Sequence, residues 1–316
     1  MKKGFEPIEL NGIKSHLLRE RPSKVTIGHF GKTYSRGGSF RQFMESLPDI
    51  LASRDLKEVV SEMVRAYKAH RVIVCGLGAH VIKVGLNPVI IDLMERGIIT
   101  SLALNGAGII HDSEIAIAGQ TSENVSNGLE GGSFGMAEET ATVINEAISK
   151  GVKKGWGIGE SVGRRLLELD PPHSNLSILA SGARLGVPIT VHIAIGTDIV
   201  HMHPSCDGAA VGKGSHLDFR IFSSIISHLQ GGVYMNIGSS VVLPEVFLKA
   251  LTLVRNLGFD VKDFTTVNMD FIQHYRPITN VVKRPTSGNG KGYSITGHHE
   301  IMVPLLAAAV LEELEL

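Results

Sequence analysis

Three histidines crowd one short run. VHIAIGTDIVHMHP brings His192, His201 and His203 close to Asp198. His298, His299 and Glu300 stand together near the end, and Asp112 directly follows His111. Imidazole and carboxylate groups can bind zinc and similar ions. His201 and His203 alternate by two, so in a strand they would share a face. The spacing matches no HExxH-type signature, and such histidines more often satisfy each other by hydrogen bonds in a polar pocket. A metal-dependent hydrolase using His111, Asp112, His201 and His203 is therefore the lesser alternative.

Two lysines have the setting for amine chemistry. Lys283 in NVVKRP follows a predicted strand and two apolar valines, and a desolvated lysine can act as a nucleophile. Lys291 in GNGKGY is its rival, although a Gly-rich loop suits phosphate contact better than a poised nucleophile. The ordinary role of either lysine is a solvated surface charge.

Elements must hold such groups together. RVIVCGLG (71–78), SLALNGAG (101–108), VPITVHIAIG (187–196) and GGVYMNIGSS (231–240) read as buried strands that end in small residues, with DFTTVNM (263–269) a weaker case. Apolar runs bounded by glycine fit strands covered on both faces of a parallel sheet. Helical spacing fills the intervals at 87–97, 136–151, 174–186, 218–232 and 243–258. This alternation predicts a doubly wound α/β fold with helices on both faces. Residues 1–35 read as an N-terminal arm and 36–316 as a single domain. The polar, Gly-rich stretch 120–135 is long enough to cover a site, or it is a plain surface loop.

In such a sheet, ligands bind beyond the carboxyl ends of the strands. Gly76, Gly78, Ala79 and His80 stand there after the first strand, and Asn105, Gly106, Ala107 and Gly108 after the second. Asp198 follows the third, and Gly238, Ser239 and Ser240 follow the fourth. Small residues let a ligand approach the backbone, so four such ends point to a nucleotide-sized ligand. GLGAHV is not the full dinucleotide fingerprint, because Val81 stands at the third glycine position.

Composition narrows the partners. Lys+Arg and Asp+Glu are both 31, and aromatics make up 5%, which gives no reason to expect nucleic acid or a membrane surface. Cys75 and Cys206 form no CxxC pair, which excludes a cysteine-rich zinc site and a disulfide scaffold. With neither a signal peptide nor an apolar span in view, a cytoplasmic setting is expected.

The order of these segments resembles deoxyhypusine synthase. The likeness rests on GLGAHVIKVGLNPVIIDLMERGIITSLALNGAGIIHDSEI, SNLSILASGARLGVPITVHIAIGTDIVHMH, GGVYMNIGSSVVLPEVFLKAL and EIMVPLLAAAVLEEL, in patches from about residue 70 onward. The resemblance implies a mostly parallel, Rossmann-like sheet, NAD as cofactor and a homotetramer. It places NAD against Gly76, Gly78, Ala79, His80, Asn105, Gly106, Ala107, Asp198, Gly238 and Ser239. It sets Lys283 near the imine-forming lysine, and an enzyme on this scaffold would handle its substrate with Lys283, His274, His299 and Asp198. The implied activity is amine dehydrogenation or alkylamine transfer. The family's Val-Val-Lys-His-His run is here Val241-Val242-Leu243-Pro244-Glu245, and IQHYRPITNVVKRP holds Arg276 and no carboxylate. A dication needs negative partners, so the expected small-molecule substrate is not a polyamine. A nucleotide-binding module without catalysis is the remaining alternative.

Overall fold

The computed structural model describes residues 4–315. Residues 4–39 precede the first helix, bury no side chain and hold only two short 3-10 turns, Leu18–Glu20 and Ile27–His29. Ten large apolar side chains, including Phe5, Ile8, Ile27 and Phe30, stand exposed along residues 5–34. The body starts with α1 (Phe40–Ser46), whose N-cap Ser39 and residue Gln42 bond each other's backbone. α2 (Leu51–Lys68) then leads to the sheet.

The remaining order is β1 (Ile73–Leu77), α3 (Ala79–Lys83), α4 (Asn87–Glu95), β2 (Ser101–Asn105), α5 (Gly106–Ala118) and α6 (Val125–Gly131). It continues with α7 (Glu138–Lys153), α8 (Ile158–Leu169), α9 (Ile178–Leu185), β3 (Ile189–His192), α10 (Gly208–Ile226), β4 (Val233–Ile237) and α11 (Val242–Asn256). Last come β5 (Thr265–Asp270), α12 (Tyr275–Pro277), a π-helical turn (Ile278–Lys283), β6 (Lys291–Thr296) and α13 (His299–Leu314).

All six strands are parallel, in the order β3-β2-β1-β4-β5-β6. Consecutive strands step outward from β1 to β3, and the chain then returns to place β4 on the other side of β1. The crossovers on either side of the β1/β4 junction therefore diverge, and in sheets of this kind the carboxyl ends of the strands at such a switch point are where ligands bind. The doubly wound prediction agrees with this architecture.

Strand side chains alternate between two cores. Cys75, Leu77, Met235, Ile237, Val267 and Met269 face a cluster that includes Val59 and Met63 of α2 and Val303 and Leu306 of α13. Val74, Ala103 and Tyr234 face Phe222 of α10 and Leu243, Phe247 and Val254 of α11. Each fully buried Val, Leu, Ile, Met or Phe side chain among them contributes about 1.5–3 kcal/mol relative to exposure. Burial on both faces explains why the strands read as unbroken apolar runs.

Three predicted features change. The Gly-rich segment around Lys291 is not a loop: it pairs with β5 from Lys291 to Thr296, and Tyr293 and Ile295 bury alternate side chains. α10 starts at Gly208 rather than 218, because Asp207 accepts from the backbone of Ala209 and Ala210 at 2.9 and 3.1 Å and offsets the weak helix preference of Gly208 and Gly212. His201 lies in a 3-10 turn (Ile199–Met202) and His203 caps it, so the two do not share a strand face. Among the described residues, no helix is long and apolar enough to cross a membrane.

Candidate functional site

The strand tips are tied across the sheet by their own backbone. The Gly78 amide donates to the Ile237 carbonyl at 2.8 Å, Gly238 to Met269 at 3.0 Å and Gly297 to Asp270 at 3.2 Å. A Cβ on Gly78 would overlap the Gly238 carbonyl, so only glycine lets β1 and β4 close at the crevice. A polar ladder underneath fixes the tips. Asn236 donates to the Ser239 carbonyl at 2.8 Å and to Asn268 Oδ1 at 2.7 Å; Asn268 donates to Gln273 at 2.7 Å, which also accepts from Ser294 at 2.7 Å.

Above this ladder sits a ring cluster. His299, the first residue of α13, is fully buried against Gly238. Its Nε2 lies 3.3 Å from the Met269 carbonyl oxygen and 3.6 Å from Asp270 Oδ1. Its Nδ1 is buried with no partner. Burial holds the imidazole below its usual range, and the Asp270 carboxylate opposes that shift. The His80 ring lies 5.4 Å from that of His299, and Phe271 packs at 5.6 and 5.7 Å from the two. His298 stacks on Phe271 at 5.8 Å.

A second group lies at the tips of β2 and β3. The Asn105 side chain caps α5 by accepting from the Gly108 amide at 3.0 Å. The Asp198 carboxylate packs directly on Gly106, where a Cβ would overlap it. Asp198 is buried, its Oδ2 has no partner, and burial raises its pKa, with His201 opposing. Beside it a cleft of about 230 Å³ is lined by Lys83, Ala107, His111, Glu114 and Thr197. Glu123, Val125 and Phe134 close one side of that cleft, so the 120–135 segment is a wall of it. His111 Nδ1 meets Thr121 Oγ1 at 2.6 Å, and that hydroxyl donates to Glu114 at 2.5 Å.

The sequence candidates separate into three sets. Gly78, Ala79, His80, Gly238, Ser239 and His299 gather at the β1/β4 crevice and the tip of β6, and Asn105, Gly106, Ala107 and Asp198 gather at β2 and β3. His274 is exposed in the loop after β5, on the same edge of the sheet. Gly76 does not face a ligand: the Tyr234 hydroxyl stands 2.7 Å from where its Cβ would be, so this glycine makes room for a core side chain. Ser239 is spent on capping, its hydroxyl accepting from the Leu243 amide at 3.3 Å.

Lys283 goes elsewhere. It ends a π-helical turn rather than following a strand, and its side chain is exposed. The preceding Val282 carbonyl abuts Gly292, near the amino end of β6, so Lys283 lies toward the sheet edge opposite His299. Lys291 is on that amino edge too, paired with Glu62 at 2.7 Å. Arg276 offers little charge to an anion, since Glu245 pairs with it at 3.4 Å.

The metal-hydrolase set does not assemble. Asp112 is fully buried and accepts four hydrogen bonds, from Asn87 (3.0 Å), Ser177 (2.5 Å), Ile178 (2.8 Å) and Leu179 (3.1 Å), which fasten the start of α9. His201 accepts from the Gly196 amide at 3.2 Å, and His203 bonds the Gly135 carbonyl at 2.8 Å. Among the described residues, no three His, Cys, Asp or Glu side chains are grouped to hold an ion. Asp270 and Phe271 were missed from sequence. The strand pattern in the sequence ends at 269, one residue short of the tip that carries the carboxylate.

No family model matches the chain, and neither does any curated protein. Solved structures do. A protein designated a conserved LOR/SDH protein from Methanococcus maripaludis S2 superposes with a TM-score of 0.53 at 17% identity, over 85% of this chain and 72% of that one. AgrE in ternary complex with ornithine and NAD+ gives 0.54 at 13% identity, over 84% of this chain and 34% of AgrE. A candidate deoxyhypusine synthase from Entamoeba histolytica gives 0.50 at 10% identity, over 88% and 95%. This chain thus spans about a third of AgrE. At these identities the shared property is the fold: a mostly parallel, Rossmann-like α/β sheet.

Proposed function

We propose that this chain is an enzyme that binds an NAD-type dinucleotide along the carboxyl edge of its sheet and dehydrogenates a small, uncharged substrate. One observation carries the reading. At the crevice where the strand order reverses, a fully buried imidazole is held by a main-chain carbonyl and a carboxylate, with its other nitrogen left bare. Dehydrogenation requires a proton acceptor beside the hydride acceptor, and an imidazole held in this way can orient such a group although it is itself closed to a ligand.

The residues fit such a cofactor in part. A buried carboxylate oxygen without a partner suits a ribose or substrate hydroxyl, and Asp198 Oδ2 is one. That same carboxylate, lying on Gly106, repels a phosphate from the start of α5. The pyrophosphate would therefore run along Ala79, Gly238 and Ser240 rather than over the second strand. NAD when bound supplies the hydride acceptor. AgrE, which shares the fold, was solved with NAD+.

Two narrower readings follow. Lys283 lies toward the opposite edge from the ring cluster, so dehydrogenation is favoured over alkylamine transfer through an enzyme imine. The exposed Phe271, Ile272 and Tyr275 at the rim favour an uncharged substrate over a dication. The reading also includes self-association, supported by the apolar side chains left open along residues 5–34.

Calorimetry tests the core of the proposal. NAD should bind at micromolar to millimolar concentration, and Asp198→Asn should weaken binding about tenfold or more, the loss of one hydrogen bond to a charged group. Absence of heat at millimolar NAD would remove the cofactor, and with it the dehydrogenase.

A further inference from the structure

His299 has an atom that its own contacts do not explain. Nε2 faces the Met269 carbonyl and the Asp270 carboxylate, both acceptors, so Nε2 carries the hydrogen. Nδ1 is then a bare lone pair, buried and without a donor. Such an acceptor is costly unless something donates to it. His299 is also closed off from solvent, so it cannot itself meet a ligand.

The ring packed beside it has an N–H to offer. His80 is exposed on α3, and its centroid lies 5.4 Å from that of His299, edge to face at 60°. At this separation an N–H···N bond forms when a nitrogen of each ring lies on the line between the two centres, so the pair requires the His80 ring to turn out of its edge-to-face arrangement. Phe271 packs against both rings and limits where His80 can move.

We propose that His80 is the catalytic base and that Asp270 and His299 are its positioning residues. One His80 nitrogen donates its hydrogen to His299 Nδ1. The other therefore carries a lone pair into the crevice. This inference rests on the dehydrogenase reading for what His80 acts upon. The substrate loses a hydride from carbon to the dinucleotide and a proton from its hydroxyl or amine to the free His80 nitrogen. A carbonyl or imine forms, and His80 releases the proton to water. Asp270 fixes the His299 tautomer and offsets positive charge arriving along the chain.

Long-range proton–nitrogen NMR on the full chain, labelled at histidine nitrogen, tests the pair without a substrate. In the unaltered protein, His299 should be the Nε2–H tautomer with its Nδ1 signal displaced by an accepted hydrogen bond. His80→Phe should return that signal to the position of an unbonded acceptor and raise the His299 titration midpoint. Asp270→Asn should lower that midpoint; Glu300, the other charged neighbour, is present in every sample. An Nδ1–H tautomer in the unaltered protein, or a signal that His80→Phe does not move, would overturn the proposal. NAD binding measured on the same unaltered sample reports separately on the dehydrogenase reading.

Discussion

At the scale of single residues, buried charge decides what each polar group does. Asp112 is surrounded by four donors, and burial still pushes its carboxyl up to about 6. Asp112→Asn places an amide among those donors and should cost about 2–3 kcal/mol in urea unfolding. Dinucleotide affinity should not change, since Asp112 serves the start of α9. His192 gives a pH signature. Burial pushes it down to about 3, whereas an unfolded histidine titrates near 6.5. Below about 6.5 the unfolded chain takes a proton that the folded chain refuses, so stability falls by about 1.4 kcal/mol per pH unit. Asp218, pushed up by burial to about 7, acts in the opposite sense, because its stabilising contribution is lost as pH rises through that value. The measurement is therefore a difference: His192→Gln should lose less stability than the unaltered protein between pH 7.5 and 5. Equal losses would contradict the assignment.

At the scale of elements, the glycine-tipped strands were legible because burial on both faces leaves unbroken apolar runs with abrupt ends. The sheet edge on which a residue falls was not legible. Lys283 follows two valines, as a desolvated lysine would, yet the π-helical turn carries it toward the amino edge. The pairing of His80 with His299 was equally hidden, because it depends on β1 and β6 ending at the same edge of the sheet, with two strands between them. Asp198 was found as a ligand candidate, but its seat on Gly106 needed coordinates. The closure of β1 on β4 gives the element-level test. Gly78→Ala must push against the Gly238 carbonyl, a backbone atom that cannot rotate away. It should cost about 1–3 kcal/mol and weaken NAD binding, because the tips separate. A variant as stable and as tight-binding as the parent would show that the tips do not need this contact.

At the scale of the whole molecule, the chain divides by burial. The sheet and its helices hold two cores, while residues 4–35 bury nothing within the single chain. A protein starting at residue 36 keeps Ser39, the cap of α1, and should unfold within a few degrees of the full chain. The full chain should elute as an oligomer in size-exclusion chromatography and the shortened one as a smaller species. A full-length monomer at micromolar concentration would contradict assembly through these exposed side chains. The whole-chain view also separates two candidate binding places. A cavity of about 550 Å³ lies between α1, α2 and α13, lined by Met44, Val60, Val64 and Ala309 and apart from the strand tips. Volume alone would favour it, but it holds neither the bare imidazole nitrogen nor the unpartnered Asp198 oxygen.

An experimental structure of the protein soaked with NAD tests the account most directly. Dinucleotide density is expected along Ala79, Gly238 and Ser240, with a ribose hydroxyl on Asp198 and the nicotinamide beside His80. Density confined to the cavity between α2 and α13, or strand tips left bare at saturating NAD, would contradict it.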